Sequence, residues 1–446
     1  MDDRRLSAWR IASLLVSTSC GIGFLLGTGE LALRQGMAAS MYAVATSIGL
    51  LTLAFAAPRL WETGQSIWTY FDTIYGPVVG RQVAALSLIW MAGVLGAQIR
   101  GASALLALSG VPRTTSIIAV DCLAFSLSFV RLSALSSIFA ICLGGCNAIL
   151  VYALVKMHHL TVWLRAPESF VQSMTLSPIG HAGLTLISVV ALVIFGADYQ
   201  QFPLRARTPS EARRGCLLAA VVVFVVGFLP ASTVIASARV WDLSALPDPA
   251  QVVPVELTLA LGNTRGITQG LVVSILLMTA VGAACSILRA MSDAIAISRP
   301  SGSRRTALGR ILPVLAATLV TASGRSIIDM MITLNVIYLA AAGPLLTLAL
   351  LGCHIPYQAA KRSMLTGFSI ATACYVICET NMAGLHESLT LVLAWPCALL
   401  EALRSGITSA NQSHTTVGHA VHSILVRVVT RLTRCRLSAE PDRPIE

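Results

Sequence analysis

A glycine-rich segment near the beginning of the chain has the residue types that can bind a solute through the peptide backbone. Residues 20–30 contain four glycines within nine positions. The polar residues around them are Ser17, Thr18, Ser19, Thr28 and Glu30. Each glycine costs a helix roughly 1 kcal/mol relative to alanine, so the cluster indicates either close helix packing, which the spacing of Gly23 and Gly27 fits, or a break in the helix. We favour the break, because unwound backbone exposes N–H and C=O groups that can hold a ligand.

A second interrupted segment lies near the middle of the chain. Phe195-Gly196-Ala197-Asp198 interrupts an apolar run, and Pro203 follows it. Interrupted segments at matching positions of two halves indicate a binding site at an inverted repeat. The predicted lining residues of such a site are Gly21, Gly23, Phe24, Gly27, Arg100, Phe195, Gly196 and Asp198. Half-helix amides at residues 23–27 would favour a carboxylate, which indicates an amino acid or an organic acid as the solute.

Ionisable residues inside other apolar runs are further candidates. A charge at the bilayer centre costs at least ~2.5–3.5 kcal/mol, so each one needs a partner or a wet cavity. Arg100 would either meet an anionic substrate or pair with Asp121, and we favour the ion pair. Asp293 follows Arg289 at helical spacing, which predicts a local pair between them.

Motifs of enzymes and metal sites are absent from the sequence. We find no phosphate-binding glycine loop, no His-Glu-x-x-His and no paired-cysteine motif. We therefore expect no enzymatic activity and no cofactor. Transport, if the chain performs it, would depend on an ion gradient or be facilitated.

The composition identifies the surroundings of these segments as lipid. Apolar residues make up 56% of the chain and charged residues 11%, with a mean hydropathy of +0.78. Soluble domains average about 25% charged residues. In a bilayer only helices or closed barrels satisfy the backbone, and apolar runs of roughly 17–30 residues are helix-length. The chain is therefore expected to be an all-α polytopic membrane protein. Its formal charge of +11 lies mostly in short loops, so we expect no nucleic acid partner.

About twelve apolar runs are predicted to span the membrane. They are residues 8–33, 37–57, 82–108, 114–130, 132–155, 180–202, 215–238, 267–297, 307–323, 326–352, 362–380 and 386–403. With the N-terminus inside, Lys and Arg concentrate strongly in the cytoplasmic segments. This asymmetry predicts an integral protein of the bacterial inner membrane with both termini cytoplasmic.

The runs divide into a predicted domain plan. Its parts are a cytoplasmic N-terminus at 1–7, a first five-helix repeat at 8–155, an external loop at 156–179, a second five-helix inverted repeat at 180–352, two additional helices at 362–403 and a basic cytoplasmic tail at 404–446. Apolar residues of the tail recur at helical spacing, with arginines on another face. This favours an amphipathic helix on the inner leaflet equally with a solvated helix.

The order of several motifs resembles a known family. Phe24-Leu-Leu-Gly27, followed by Gly36, resembles the first core helix of the solute:sodium symporters. Residues 201–215 look like the basic stretch after that family's sixth core helix, residues 266–292 like its eighth helix and residues 334–352 like its tenth. The resemblance implies the five-plus-five inverted-repeat fold called LeuT-type, in the amino acid/polyamine/cation symporter superfamily.

The resemblance also locates an ion site, and the chain departs from the family there. The family's sodium site would use the carbonyls of Ser17 and Cys20, and paired hydroxyls at the positions of Gly282 and Ala283. Those two residues have no hydroxyl. Ser286 lies one turn further on, and three residues beyond it stands Arg289. Because a hard cation needs several oxygen ligands, sodium coupling is doubtful, and a proton-coupled or uncoupled carrier is the hypothesis.

Two functions remain as hypotheses. The first is a secondary transporter of a small polar solute, coupled to Na⁺ or H⁺ if it is coupled at all. The second is a transporter-derived solute sensor or membrane interaction protein that does not transport. A channel is less favoured, because no polar stripe runs through several spans.

Overall fold

The computed structural model describes residues 6–129, 132–176, 179–243, 246, 248–261, 267–298, 308–321, 327–350, 355–379 and 388–412. Within these ranges every long regular element is a helix. The helices before the middle of the chain are α1 (Ala8–Ser19), α2 (Ile22–Gln35), α3 (Met41–Thr63), α4 (Ile67–Tyr75), α5 (Pro77–Leu108), α6 (Arg113–Leu127), α7 (Leu132–Lys156), α8 (Leu160–Leu164) and α9 (Ala166–Leu176). The later helices are α10 (Ile179–Phe195), α11 (Ala197–Gln200), α12 (Pro209–Val226), α13 (Leu229–Ser237), α14 (Val252–Ala260), α15 (Ile267–Ser298), α16 (Leu308–Thr321), α17 (Ile327–Leu350), α18 (Tyr357–Glu379) and α19 (Ser388–Gln412).

A helix or a broken helix occupies each predicted apolar run, which confirms the all-α membrane class. By length and composition, five helical segments among the described residues can cross a membrane, or six when the bent pair α10–α11 is taken as one span. The total of twelve crossings therefore stays a prediction. The predicted amphipathic helix of the tail lies outside the described residues.

The run predicted at 215–238 lies within one candidate span, residues 209–237. It consists of α12 and α13, with the two residues Gly227 and Phe228 between them in helical backbone conformation just before Pro230. A Cβ on Gly227 would stand 2.3 Å from the Cβ of Ala43, so α3 approaches the backbone directly at this point. The element also begins earlier than predicted, at Pro209, where the hydroxyl of Thr208 accepts a hydrogen bond from the Glu211 N–H at 3.2 Å.

The first part of α1 is tied to the segment before α12. The backbone N–H of Leu6 donates to the Arg205 carbonyl, and that of Arg207 donates to the Leu6 carbonyl, both at 3.1 Å. Glu211 accepts from the N–H of Ala8 at 2.5 Å, at the N-terminus of α1. The two interrupted segments of the chain are thus fastened to one another at one end.

The helices form two compact units. The first comprises residues 1–70 and 81–336, and the second comprises residues 71–80 and 337–446. The first unit contains both interrupted segments and every candidate site residue discussed below. In the second unit Ser363 donates to the Ala398 carbonyl at 2.7 Å, which joins α18 to α19. The predicted division into repeats at 8–155 and 180–352 stays a prediction.

Candidate functional site

The first helical break lies at Cys20 and Gly21, as the glycine cluster predicted. The last N–H bonded to α1 is that of Cys20, which donates to the Val16 carbonyl at 2.8 Å. Gly21 is extended, with φ −63° and ψ 174°, and α2 begins at the next residue. A Cβ at Gly21 would lie 2.8 Å from both the Cβ of Ala283 and Oε1 of Gln98. The break therefore needs glycine because α5 and α15 approach its backbone.

Gln98 of α5 forms a hydrogen bond with the backbone at the first break. Its side chain is 2% exposed, and its Oε1 accepts a hydrogen bond from the backbone N–H of Gly23 at 3.1 Å. That N–H is one of the amides that α2 leaves without a partner in the helix. Gln98 was not predicted as a site residue. The signal was its polar side chain deep inside an apolar run.

The second helical break lies at Gly196. Gly196 is extended, with φ −70° and ψ 123°, and it separates α10 from the four-residue helix α11. The two parts of this span are bent by 46°. The side chain of Gln200 folds back and donates to the Ile194 carbonyl at 2.7 Å, at the end of α10. The glycine and the capping amide together stabilise the break.

Asp198 is the buried acid at the second break. It is 1% exposed, and the backbone N–H groups of Asp198 and Tyr199 donate to its carboxylate at the start of α11. Its Oδ1 is buried without a hydrogen-bond partner among the described residues. A buried carboxylate oxygen without a partner is costly, which makes Asp198 a candidate for ligand contact.

Hydroxyl groups connect the two breaks. Ser19, at the end of α1, hydrogen-bonds to Tyr199 of α11, and Tyr199 hydrogen-bonds to Tyr42 of α3. Asp198 acts electrostatically on both tyrosines. The ring of Tyr42 lies 6.0 Å from that of Phe24 between centroids. All of these side chains are buried, so the breaks meet at one cluster of polar groups and aromatic rings, which is the candidate solute chamber.

The structure brings together most of the predicted lining residues. Gly21, Gly23 and Phe24 lie at the first break, and Phe195, Gly196 and Asp198 lie at the second. Tyr42 and Tyr199 join this cluster without having been predicted as lining residues. Tyr42 was missed because only tertiary packing brings α3 against α11, whereas Tyr199 directly follows Asp198.

Two other predicted lining residues lie further from the chamber. Gly27 is one turn into α2 and packs against α17, where its Cβ would stand 2.8 Å from Cγ1 of Ile328. Packing of this kind is the alternative that the spacing of Gly23 and Gly27 left open. Arg100 follows Gln98 by two positions on α5, which places the two side chains on different faces of the helix. Substrate contact by either residue stays a prediction.

The predicted ion pair between Arg100 and Asp121 is wrong. Asp121 of α6 accepts a hydrogen bond from Thr318 of α16 at 2.8 Å, and Arg100 does not act on it within the described residues. The error has a physical reason. Sequence proximity of two apolar runs does not say which face of one helix meets the other, and α6 turns its acid toward α16.

At the predicted ion-site positions of α1 and α15, the structure has a close apolar contact. The methyl group of Ala283 packs against Gly21, and the hydroxyl of Ser286 donates to the Ala283 carbonyl of its own helix at 2.8 Å. Ser17 and Cys20 are buried beside this contact. Among the described residues, no group of three His, Cys, Asp or Glu side chains could hold a metal ion.

Arginines from three elements converge further along α15. Arg289 is within electrostatic reach of Arg310 of α16 and of Arg205, which follows α11, and also of Asp293. The guanidinium of Arg310 donates to the Ser128 hydroxyl at 3.1 Å and lies 4.0 Å over the Phe129 ring. Asp293 acts electrostatically on Arg289, as do two like charges, and the predicted local pair between Arg289 and Asp293 stays a prediction.

Comparisons with known proteins give structural matches only. No family model and no curated protein matches the chain. The structure of a Na⁺-coupled sialic acid symporter, substrate-bound and outward-open, aligns with a TM-score of 0.65 at 12% identity, over 89% of both chains. The nucleobase-cation-symport-1 family transporter Mhp1, closed with bromovinylhydantoin bound, aligns with a TM-score of 0.58 at 14% identity, over 91% of this chain and 94% of the other.

A manganese transporter from Eremococcus coleocola is also similar in structure. It aligns with a TM-score of 0.52 at 13% identity, over 96% of this chain and 94% of the other. Identities this low establish likeness of fold and leave function to be argued from the site. The chain therefore has the LeuT-type fold of these solved membrane transporters, as its resemblance to the solute:sodium symporters implied.

Proposed function

We propose that the chain is a secondary transporter that carries a small polar solute through the chamber between its two broken helices. The observation that carries this proposal is the convergence of both breaks on one set of buried polar groups, namely Gln98, Asp198, Tyr42 and Tyr199. Broken helices that meet at mid-membrane are the usual construction of a carrier's binding site. The solved transporters of the same fold agree with this function.

We further propose that transport does not depend on sodium. The contact between Ala283 and Gly21 supports this, because a methyl group stands where the family places hydroxyl ligands. Arg289, six residues after Ala283 on α15, would supply a fixed positive charge. Uptake into proteoliposomes with sodium replaced by choline is expected to continue at an unchanged rate. Strict sodium dependence would overturn this part of the proposal.

The protein is proposed to lie in the bacterial inner membrane with both termini in the cytoplasm. The distribution of Lys and Arg between alternate loops supports this orientation. It also assigns the tie between Leu6 and the segment before α12 to the cytoplasmic side, where it would close the chamber.

Solute counterflow tests the proposed transport. Purified protein is reconstituted into liposomes loaded with unlabelled solute, and entry of the labelled solute is followed after dilution. A carrier exchanges the two pools and accumulates label transiently without an energy source. A sensor of the same fold would bind the solute without exchange, so binding in detergent with no counterflow in liposomes would contradict the proposal.

A further inference from the structure

We propose that Asp198 binds the positively charged ammonium group of the solute in exchange for a proton, so that the carrier is an antiporter of an organic cation and H⁺. This inference rests on the proposed transport function and names its substrate class and its coupling. In the exchange, the O–H bond of the protonated carboxyl breaks and the proton leaves to water, while the ammonium group takes its place beside the carboxylate. One charge replaces another, and the exchange is electroneutral.

The first reason is that one oxygen of the buried carboxylate has no hydrogen-bond partner among the described residues. Asp198 is 1% exposed, and its Oδ1 has no partner among the described residues. An ionised carboxylate at this depth costs at least ~2.5–3.5 kcal/mol unless a positive charge accompanies it. A proton or a bound cation must therefore neutralise it.

The second reason is that no described arginine or lysine side chain neutralises the Asp198 carboxylate. The elements packed against α11 carry as their described charged groups Arg10 on α1, Arg59 and Glu62 on α3, Arg205 after α11, and Arg289 and Asp293 on α15. None of them acts electrostatically on Asp198. The titratable groups that do interact with Asp198 are the phenols of Tyr42 and Tyr199. Neither of them supplies positive charge.

The third reason is that the first break does not offer its leading amide to an anion. The N–H of Gly23 is already engaged by Oε1 of Gln98 at 3.1 Å. The predicted carboxylate site at residues 23–27 is therefore partly occupied by the protein itself. An anionic solute could not replace the proton on Asp198, because it would repel the ionised carboxylate strongly where little water screens the two charges.

The chamber suits an organic ammonium group better than a metal ion. The rings of Phe24 and Tyr42 lie 6.0 Å apart, and aromatic faces attract ammonium groups by about 0.5–2 kcal/mol. A divalent metal ion would need several carboxylate, carbonyl or thiolate donors. In the part of the chain that the structure describes, no three His, Cys, Asp or Glu side chains lie together in a way that could hold a metal ion.

The test measures competition between protons and ammonium probes in the full-length protein in detergent. Choline, putrescine and tetraethylammonium are the cationic probes, with glutamate and glycerol as anionic and neutral comparisons. We expect at least one cationic probe to raise the melting temperature. Its apparent Kd should weaken by roughly tenfold for each unit that the pH falls below the titration of Asp198, because one proton competes for one site. Binding in weak buffer should release about one proton per probe.

Two variants make the result specific. Asp198→Asn keeps the shape of the side chain and is expected to lose at least tenfold in affinity, the pH dependence and the proton release. Asp72→Asn changes an exposed aspartate in the same way and should behave as the wild type. The inference is overturned if no cationic probe binds, if only glutamate or glycerol binds, or if Asp198→Asn binds with the wild-type pH profile.

Counterflow separates failure of this inference from failure of the proposed function. If the wild type exchanges an anionic or neutral solute, transport stands and the cation assignment falls. If a cationic probe binds with proton release but is never exchanged, the ammonium site stands and transport falls.

Discussion

At the residue scale, the position of the first break is explained by what lies against a single glycine. Gly21 faces the Cβ of Ala283 and the side-chain amide of Gln98 at distances that leave no room for a methyl group. The sequence alone explains why breaking the helix there costs little free energy, since glycine lowers helix stability. The neighbouring helices explain why glycine is required. A substitution at this position therefore tests packing and function together.

Gly21→Ala is expected to lower the melting temperature and to abolish exchange, because α1 and α2 must move away from α15. Overpacking of this kind costs about 1–3 kcal/mol. Gly144→Ala on α7 is the matched control, since nothing lies within 4 Å of its added Cβ. Combining Gly21→Ala with Ala283→Gly should recover part of the lost stability. Wild-type melting and exchange in the single variant would contradict this account of the break.

Gln98→Met tests the hydrogen bond that holds the first break. The substitution keeps the length of the side chain but leaves the buried N–H of Gly23 without an acceptor. An unsatisfied buried donor costs about 1–3 kcal/mol. We expect a lower melting temperature in detergent and a reduced counterflow rate. A variant as stable as the wild type would mean that another group or water satisfies this amide.

At the scale of the elements, glycines and polar residues predicted both helical breaks, and tertiary contacts account for what was missed. Gly21 and Gly196 mark the breaks in the sequence as well as in the structure. The close approach of Ala43 to Gly227 was not predicted, because it joins two helices that are far apart in the sequence. Tyr42 was missed for the same reason, since a tyrosine in an apolar run has no periodicity that identifies its partner.

The tie between α1 and α12 leads to a prediction for Glu211. Its carboxylate accepts from the Ala8 N–H at the positive end of α1. A hydrogen bond to a charged group contributes about 1.5–3 kcal/mol, so Glu211→Ala should accelerate amide hydrogen exchange in α1 roughly 10- to 100-fold. Glu211→Gln keeps an acceptor without the charge, so its exchange rate in α1 should lie between those of the wild type and the alanine variant. Unchanged exchange in the alanine variant would show that this contact does not hold α1.

Glu256 on α14 gives a prediction for stability against pH. The side chain is fully buried, which raises its pKa from 4.5 to about 8, while the hydroxyls of Thr233 and Ser237 on α13 partly offset the rise. A raised acid pKa means that the folded state binds the proton more tightly than the unfolded state. The stabilisation is therefore fully present below about pH 4.5 and is lost as the pH rises through about 8.

Melting curves in detergent between pH 5 and pH 9 test the titration of this carboxyl. The wild type should lose several degrees relative to Glu256→Gln across this range, because the amide cannot ionise. Glu168→Gln, which changes an exposed acid on α9, should follow the wild-type curve. Parallel curves for wild type and Glu256→Gln would indicate that Glu256 does not titrate in the folded protein.

At the scale of the whole molecule, the sequence predicted the membrane class, the fold and the number of membrane crossings. The membrane class follows from the apolar fraction, and the LeuT-type fold from the order of weak motifs, which the structural matches bear out. The number of crossings does not follow from helix length alone, because in the described ranges five or six helical segments are long and apolar enough to cross by themselves. Short or polar helices cross membranes only when neighbours shield them, so the count needs a direct experiment.

Reporter fusions along the chain determine that count. Alkaline phosphatase is active outside the inner membrane and green fluorescent protein inside it, so each is fused after Gly64, Glu168, Arg207 and Asp248 in turn. With twelve spans and a cytoplasmic N-terminus, the sites after Gly64 and Arg207 should fluoresce, and those after Glu168 and Asp248 should give phosphatase activity. The same side for Glu168 and Arg207 would mean that the bent pair α10–α11 re-enters without crossing. The two breaks would then not belong to oppositely directed repeats, and the inverted-repeat construction of the chamber would be lost.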